Sequence, residues 1–385
     1  MDGVTHIGEE FYGGKPLKFP SLEDLTIKDL PCLKEWSCIE NEAAVFPRLQ
    51  KLVVDKCPNL ISAPTFQSLL YLELRDCHPK ILESVDNMSS LSNVVIDALQ
   101  GLVHLSGKLL ENNKSLETVE ILSCKNFISL PQEIEHLTYL KSLTISNCEK
   151  LTHLPTGIRK LQALEFLEIN GCHSLESLPS EEFAGFNSLK SLSIENCGNL
   201  IYLSSGFLHL TVLEQLSIMS CPRLTLSRGS FQNLSSLRSL SIISCPELYP
   251  LPASLQHVTT LQSLVIHSSP YLTDLPDWLA KLSSLRSLAI SNCEHLISLP
   301  EGMKYLNALQ HLSIQDCPHL ERLCKKKGME WRKIAHIPHI YVQVIYGNPI
   351  EFTCPSDVAF STIDEVTGYS EVQQQDTRSN ISSEI

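Results

Sequence analysis

One feature constrains this chain more than any other. Cys124, Cys148, Cys172, Cys197, Cys221, Cys245, Ser269, Cys293 and Cys317 follow one another at steps of 24 residues, with a single step of 25. Spacing this even is a ruler and not a disulfide framework, and a chain that carries it folds as an array of like units. No secretory signal opens the sequence, whose first residues MDGVTHIGEEFYGG are polar and acidic, so the 14 cysteines are expected to be reduced thiols in a cytoplasmic protein. For the same reason the Asn-x-Ser sequons at Asn87, Asn113, Asn233 and Asn380 are read as chance.

Each step repeats one phrase, as in Leu140-x-x-Leu143-x-Ile145-x-x-Cys148-x-x-Leu151-x-x-Leu154-Pro155-x-x-Ile158-x-x-Leu161. It returns at Leu164, Leu189, Leu213, Leu237, Leu261, Leu285 and Leu309, and looser versions begin at Leu22, Leu49, Leu69, Leu91 and Leu116, about thirteen units in all. Such units match the leucine-rich-repeat template. Leu143 and Ile145 stand two apart and face one side of a short strand, while Ser142, Thr144 and Ser146 face the other. A single unit cannot bury its own leucines. Stacked units pair their strands in parallel about 4.8 Å apart and bury each leucine, worth roughly 1.5–3 kcal/mol per side chain. The expected fold is therefore α/β: a leucine-rich-repeat solenoid, or horseshoe, with a parallel concave sheet and short helices or 3₁₀ turns on the convex side. On that side the proline suits the first turn of the helix. At the cysteine the chain is expected to leave the strand, with a small buried S–H donor in the turn.

The regular text divides the chain. An incomplete repeat is expected over 1–18, cut short because no polar cap opens the array, and the solenoid over 19–320. A C-terminal cap over 321–350 contains Trp331, Ile334, Ile337, Pro338 and Ile340. In the tail, 351–385, seven acids face one base, Arg378, and disorder is expected.

Composition excludes several functions. A net charge of −13 argues against a nucleic-acid binder, which needs a basic face to neutralise phosphates, and no run of about 18 apolar residues is present to span a membrane. Aromatic residues are only 6% of the chain, so the core is expected to be aliphatic. The text from Gly8 to Gly13-Gly14-Lys15-Pro16 fails as a phosphate loop, with Pro16 where a hydroxyl should meet magnesium. Cys317, Cys324, His336 and His339 have the residue types of a zinc site, but Cys317 belongs to the ruler and the pair spacings match no zinc finger, so packing is the better reading. Cysteine–histidine catalysis needs an exposed nucleophile, and these cysteines are expected to be buried. Arg322, Lys325, Lys326, Lys327, Arg332 and Lys333 form a basic cluster able to meet an acidic surface or anionic lipid; with Glu321 and Glu330 interspersed it reads as a solvated cap face. No enzyme activity, cofactor or metal is expected.

Function on such a scaffold lies in the outward strand residues, which the fold leaves free. The central column runs Thr144, Glu168, Ser193, Ser217, Ser241, Val265, Ala289 and Ser313; the next runs Ser146, Asn170, Glu195, Met219, Ile243, His267, Ser291 and Gln315. Met219, Ile243 and His267 are expected to stack as neighbours and expose apolar surface. With Tyr71, Arg75, Leu122, Phe166, Glu168, Glu195 and His311 they make the candidate protein-binding face.

Two flanking phrases go further. The opening Ile7-Gly8-Glu9-Glu10-Phe11-Tyr12-Gly13 with Phe19-Pro20-Ser21-Leu22-Glu23, and the ending Trp331-Arg332-Lys333-Ile334-Ala335-His336-Ile337-Pro338, together with the repeat, resemble plant coiled-coil nucleotide-binding leucine-rich-repeat (CC-NB-LRR) disease-resistance proteins over residues 1 to about 345. The resemblance implies a cytoplasmic immune receptor whose repeat region senses a pathogen effector or a guarded host protein. It also implies contact with a nucleotide-binding domain, in cis or in trans. The sequence departs from that family in lacking the coiled coil, the phosphate loop and the switch aspartate, which implies a form retaining recognition alone. A constitutive intracellular signalling scaffold is the alternative.

Overall fold

A computed structural model describes residues 3–12, 19–37, 46–178, 185–203, 205–226 and 229–343. The candidate loop at Gly13 to Pro16, the end of the expected cap after 343 and the acidic tail lie outside the described residues.

Within the unit up to Val344, fourteen five-residue strands form one parallel sheet in strict chain order, from Asp24–Lys28 to His339–Gln343. The register is carried by the leucine phrase. In the Ser142–Ser146 and Phe166–Asn170 strands, Leu143 pairs with Leu167 and Ile145 with Ile169, and the same partners recur strand after strand. Leu143, Ile145, Cys148 and Leu151 are fully buried, whereas Ser142, Thr144 and Ser146 are half-buried on the other face. The final strand comes from the region expected to form the cap. Its helices Pro318–Cys324 and Trp331–Ile334 lead into His339–Gln343, which pairs in register with His311–Gln315.

The strand ends two residues before the cysteine, and a left-handed residue stands between them. Asp29, Lys56, Asp76, Ala98, Ser123, Asn147, Gly171, Asn196, Ser220, Ser244, Ser268, Asn292 and Asp316 all have φ between 46° and 63°. Non-glycine residues pay for this left-handed conformation, and the ladder holds them in it. The N–H of each donates to the carbonyl of the last residue of the following strand, as Asn147 does to Asn170 at 2.8 Å and Ser220 to Ile243 at 2.8 Å. At Gly171 a Cβ would run into the side chain of Asn147, so that position needs glycine for space as well as for φ.

Cysteine then fills the turn. The thiol of Cys148 donates to the carbonyl of Ile121 in the preceding unit at 3.7 Å and to Ser146 at 3.6 Å, and Cys172, Cys221, Cys245 and Cys317 repeat the pattern. Burial pushes the Cys124 thiol up to about 11 and that of Cys172 up to about 12, which keeps them protonated and unreactive. All twelve cysteines among the described residues are free.

The return path uses 3₁₀ turns, among them Gln132–His136, Thr156–Lys160, Ala253–His257, Asp277–Lys281 and Glu301–Tyr305. Proline stands just before each of these five turns rather than inside it. Pro155 has φ −71° and ψ 154°, the polyproline geometry its ring favours, and its carbonyl accepts the first turn bond from Ile158 at 3.1 Å. No helix among the described residues is long and apolar enough to cross a membrane.

The N-terminal end departs from the aliphatic core that the composition suggests. Tyr12, Trp36, Phe46 and Phe66 pack as a chain of aromatic rings 5.5–6.0 Å apart, with the Trp36 indole donating to the Tyr12 hydroxyl at 2.7 Å. These rings close the first units, and further along the array Phe127, Phe186, Phe207 and Phe231 are buried among the leucines. Asn113 also has a structural role: fully buried, it donates to Met88 and Leu109 carbonyls and accepts from the Leu91 N–H, which leaves its amide no freedom to carry a glycan.

Candidate concave binding face

Parallel pairing converts the outward residues of the strands into continuous rows. The row that closes each strand places Glu195 opposite Met219, Met219 opposite Ile243, and Ile243 opposite His267, so four of the candidate residues form one unbroken line across four strands. The apolar members of this line are half-buried, less exposed than expected from the sequence. The most exposed large apolar residues, such as Tyr271 and Met329, stand elsewhere. His267 is fixed by a 2.8 Å contact between its Nδ1 and the Ser291 hydroxyl, and burial lowers its pKa, an effect opposed by Asp316.

Glu168 sits in the central row between Thr144 and Ser193, and Phe166 in the first row between Ser142 and Ser191. Burial, reinforced by the charge of Glu195, raises the pKa of Glu168. Glu195 itself accepts a 2.7 Å hydrogen bond from Ser193. Leu122 lies between Asp97 and Ser146. His311 stands apart from the His267 line, and its ring stacks on that of His339 at 4.8 Å.

Tyr71 and Arg75 belong to a charged cluster at the other end of the sheet. The Tyr71 hydroxyl donates to Glu73 at 2.8 Å, and Arg75 pairs with Glu73 and, at 3.9 Å, with Asp97. Lys51 lies 4.8 Å from the Tyr71 ring centroid, and Lys28 pairs with Asp55 at 2.9 Å. Burial raises the pKa of Asp97, tempered by a hydrogen bond from Ser123. It raises that of Glu120 as well, with Glu73 and Glu168 adding like-charge repulsion. Glu73, Asp97 and Glu120 were absent from the residues singled out in the sequence. Their signal was available: adding four residues to Leu69 and Leu116 reaches Glu73 and Glu120, the same offset that takes Leu140 to Thr144.

The residue types once considered for zinc have other partners. Cys317 donates to the carbonyls of Ile290 and Gln315, His336 contacts the carbonyl of Leu306, and His339 stacks on His311.

A sequence family described as a leucine-rich repeat region matches residues 110–323. A putative disease resistance protein of Arabidopsis thaliana is 36% identical over 61 residues, which are 15% of this chain and 4% of that protein, so the match spans a small part of the relative's length. The leucine-rich repeat domain of the type III effector XopL shares 20% identity over 77% of both chains, with a TM-score of 0.36. An internalin, InlF, of Listeria monocytogenes shares 16% identity over 86% of this chain and 88% of its own, with a TM-score of 0.46.

Proposed function

Because this chain belongs to the leucine-rich repeat region family, whose members are typically protein-interaction scaffolds, we propose that it is the protein-recognition region of a plant disease-resistance receptor. In this reading its concave face senses a pathogen effector or a guarded host protein in the cytoplasm. It also contacts a nucleotide-binding domain in cis or in trans, and it performs no catalysis. The observation that carries the reading is the row Glu195, Met219, Ile243 and His267, whose side chains the fold does not dictate and whose apolar members lie side by side. Support for the plant immune setting comes from the flanking phrases and from the short match to the Arabidopsis disease resistance protein.

Contact residues at the centre of an interface cost about 2–4 kcal/mol when spoiled, so binding should fall at least thirtyfold in the double variant Met219→Glu and Ile243→Asp. The test compares proteins that co-purify with the chain from plant cells before and after pathogen challenge. A partner that appears on challenge and is lost in the double variant, with circular dichroism unchanged, supports the proposal. A partner set identical in both conditions favours the constitutive scaffold. Retention of every partner by a folded double variant removes this row from the interface.

A further inference from the structure

The C-terminal cap carries a second surface, of different chemistry. Arg322, Lys325, Lys326, Lys327 and Arg332 are all exposed, and among the described residues none of them forms an ion pair. The two acids interspersed with them do not dilute the patch. Glu321, 1% exposed, turns inward to accept the Cys317 N–H at 2.8 Å. Glu330, 7% exposed, accepts the Leu299 N–H at 2.9 Å and pairs with Lys333 at 2.9 Å. Lys333 also reaches Glu301, so this lysine is neutralised while the other five cations are not.

The segment presenting them is held in shape. Gly328 N–H donates to Lys325 at 2.7 Å, Glu330 N–H to Leu323 at 3.0 Å, and Trp331 N–H to Gly328 at 3.3 Å. A Cβ on Gly328 would overlap the Leu323 carbonyl, so the turn packs directly on the preceding helix. Between the lysines and Arg332 stands Met329, 74% exposed. Pinning Leu323, Gly328 and Glu330 together holds the three lysines on one short, fixed turn between Arg322 and Arg332.

We propose that this preformed basic turn docks the chain peripherally on an anionic lipid surface. The five cations would meet headgroup phosphates and carboxylates, and Met329 would enter the acyl boundary. Lysine and arginine stems suit that interface, with apolar carbons below and charge above. An acidic peptide would satisfy the cations but would gain little from a methionine exposed among them, and the combination therefore favours lipid. The surface is separate from the concave face and stands independently of what binds there.

Flotation of the full chain with vesicles of phosphatidylcholine, with and without phosphatidylserine, tests the assignment. Binding is expected only with phosphatidylserine, and to vanish as salt rises from about 0.1 M to about 1 M. Each near-surface cation contributes roughly fivefold, so the triple variant Lys325→Gln, Lys326→Gln, Lys327→Gln should bind about a hundredfold more weakly. Met329→Asp should lower binding further, and the double variant Met219→Glu and Ile243→Asp should leave it unchanged. Absence of binding to phosphatidylserine vesicles overturns the proposal, as does equal binding by a folded triple variant. Capture by polyglutamate in place of vesicles, indifferent to Met329→Asp, assigns the turn to an acidic protein and also overturns it.

Discussion

The two ends of the concave face are built on the same backbone and the same inward leucines, yet they differ in what they turn outward. From Asp24–Lys28 to Asn93–Asp97 the outward positions include Lys28, Asp55, Glu73, Arg75 and Asp97, which bind one another through ion pairs. From Gln215–Met219 to His311–Gln315 the outward positions hold no Asp, Glu, Lys or Arg, only serine, alanine, glutamine, histidine and the apolar Met219, Ile243 and Val265. Charges partly withdrawn from water must be compensated where they stand, so the first region is committed to its own stability. The second owes its neighbours little and is free to be committed to a partner.

The largest effect that separates the two regions should come from Arg75→Ala. It leaves Glu73, whose side chain is 9% exposed, beside Asp97 without its cation, and a cost of about 2–4 kcal/mol is expected. Met219→Ala, half-buried on the open row, should cost about 1 kcal/mol or less. Chemical denaturation of both variants measures the difference, and equal losses would erase the distinction between the regions.

A smaller effect sharpens it. The Lys28–Asp55 pair joins a half-exposed lysine to a carboxylate whose side chain is 15% exposed. A double-mutant cycle with Lys28→Met and Asp55→Asn should return a small favourable coupling that weakens as salt is added. A coupling near zero would confine compensation to the Arg75 cluster.

The sequence made the inward half of every strand legible, because one period in leucine and cysteine sets both burial and register. What it hid were matters of local geometry and of charge placement. The left-handed residue comes one position before the cysteine and is asparagine, aspartate, serine, alanine, lysine or glycine, a column too varied to stand out, although it is enforced by one ladder bond per unit. Proline moved out of the turn for a conformational reason that spacing does not reveal. In the first five units the intervals between leucines vary, which hid Glu73 and Glu120 from a column read off the regular units. Glu321 and Glu330 looked like surface acids because composition carries no direction, and only the cap's packing turns them inward.

The subtlest contrast is in how two carboxylates on the strands that follow the charged region and the histidine of the open row respond to acid. Burial and neighbouring carboxylates raise Glu120 and Glu168 above their ordinary value of 4.5. The native state then holds protons that the unfolded chain has released, so stability is lost as pH rises from 4.5 through the raised native values. Glu120→Gln should therefore stabilise the fold at pH 7, and the advantage should fade as the buffer is taken below about 4.5. His267 has the opposite sign. Its pKa lies below the ordinary 6.5, chiefly through burial, so the unfolded chain binds the proton first and stability is lost as pH falls through 6.5 toward the native value. His267→Gln should remove that part of the acid sensitivity while leaving the response of Glu120 in place. Denaturation midpoints of the two variants and the parent across this range test the signs separately. Opposite slopes would show that the carboxylates following the charged region and the open row are electrostatically distinct, and slopes of the same sign would show that one field governs both.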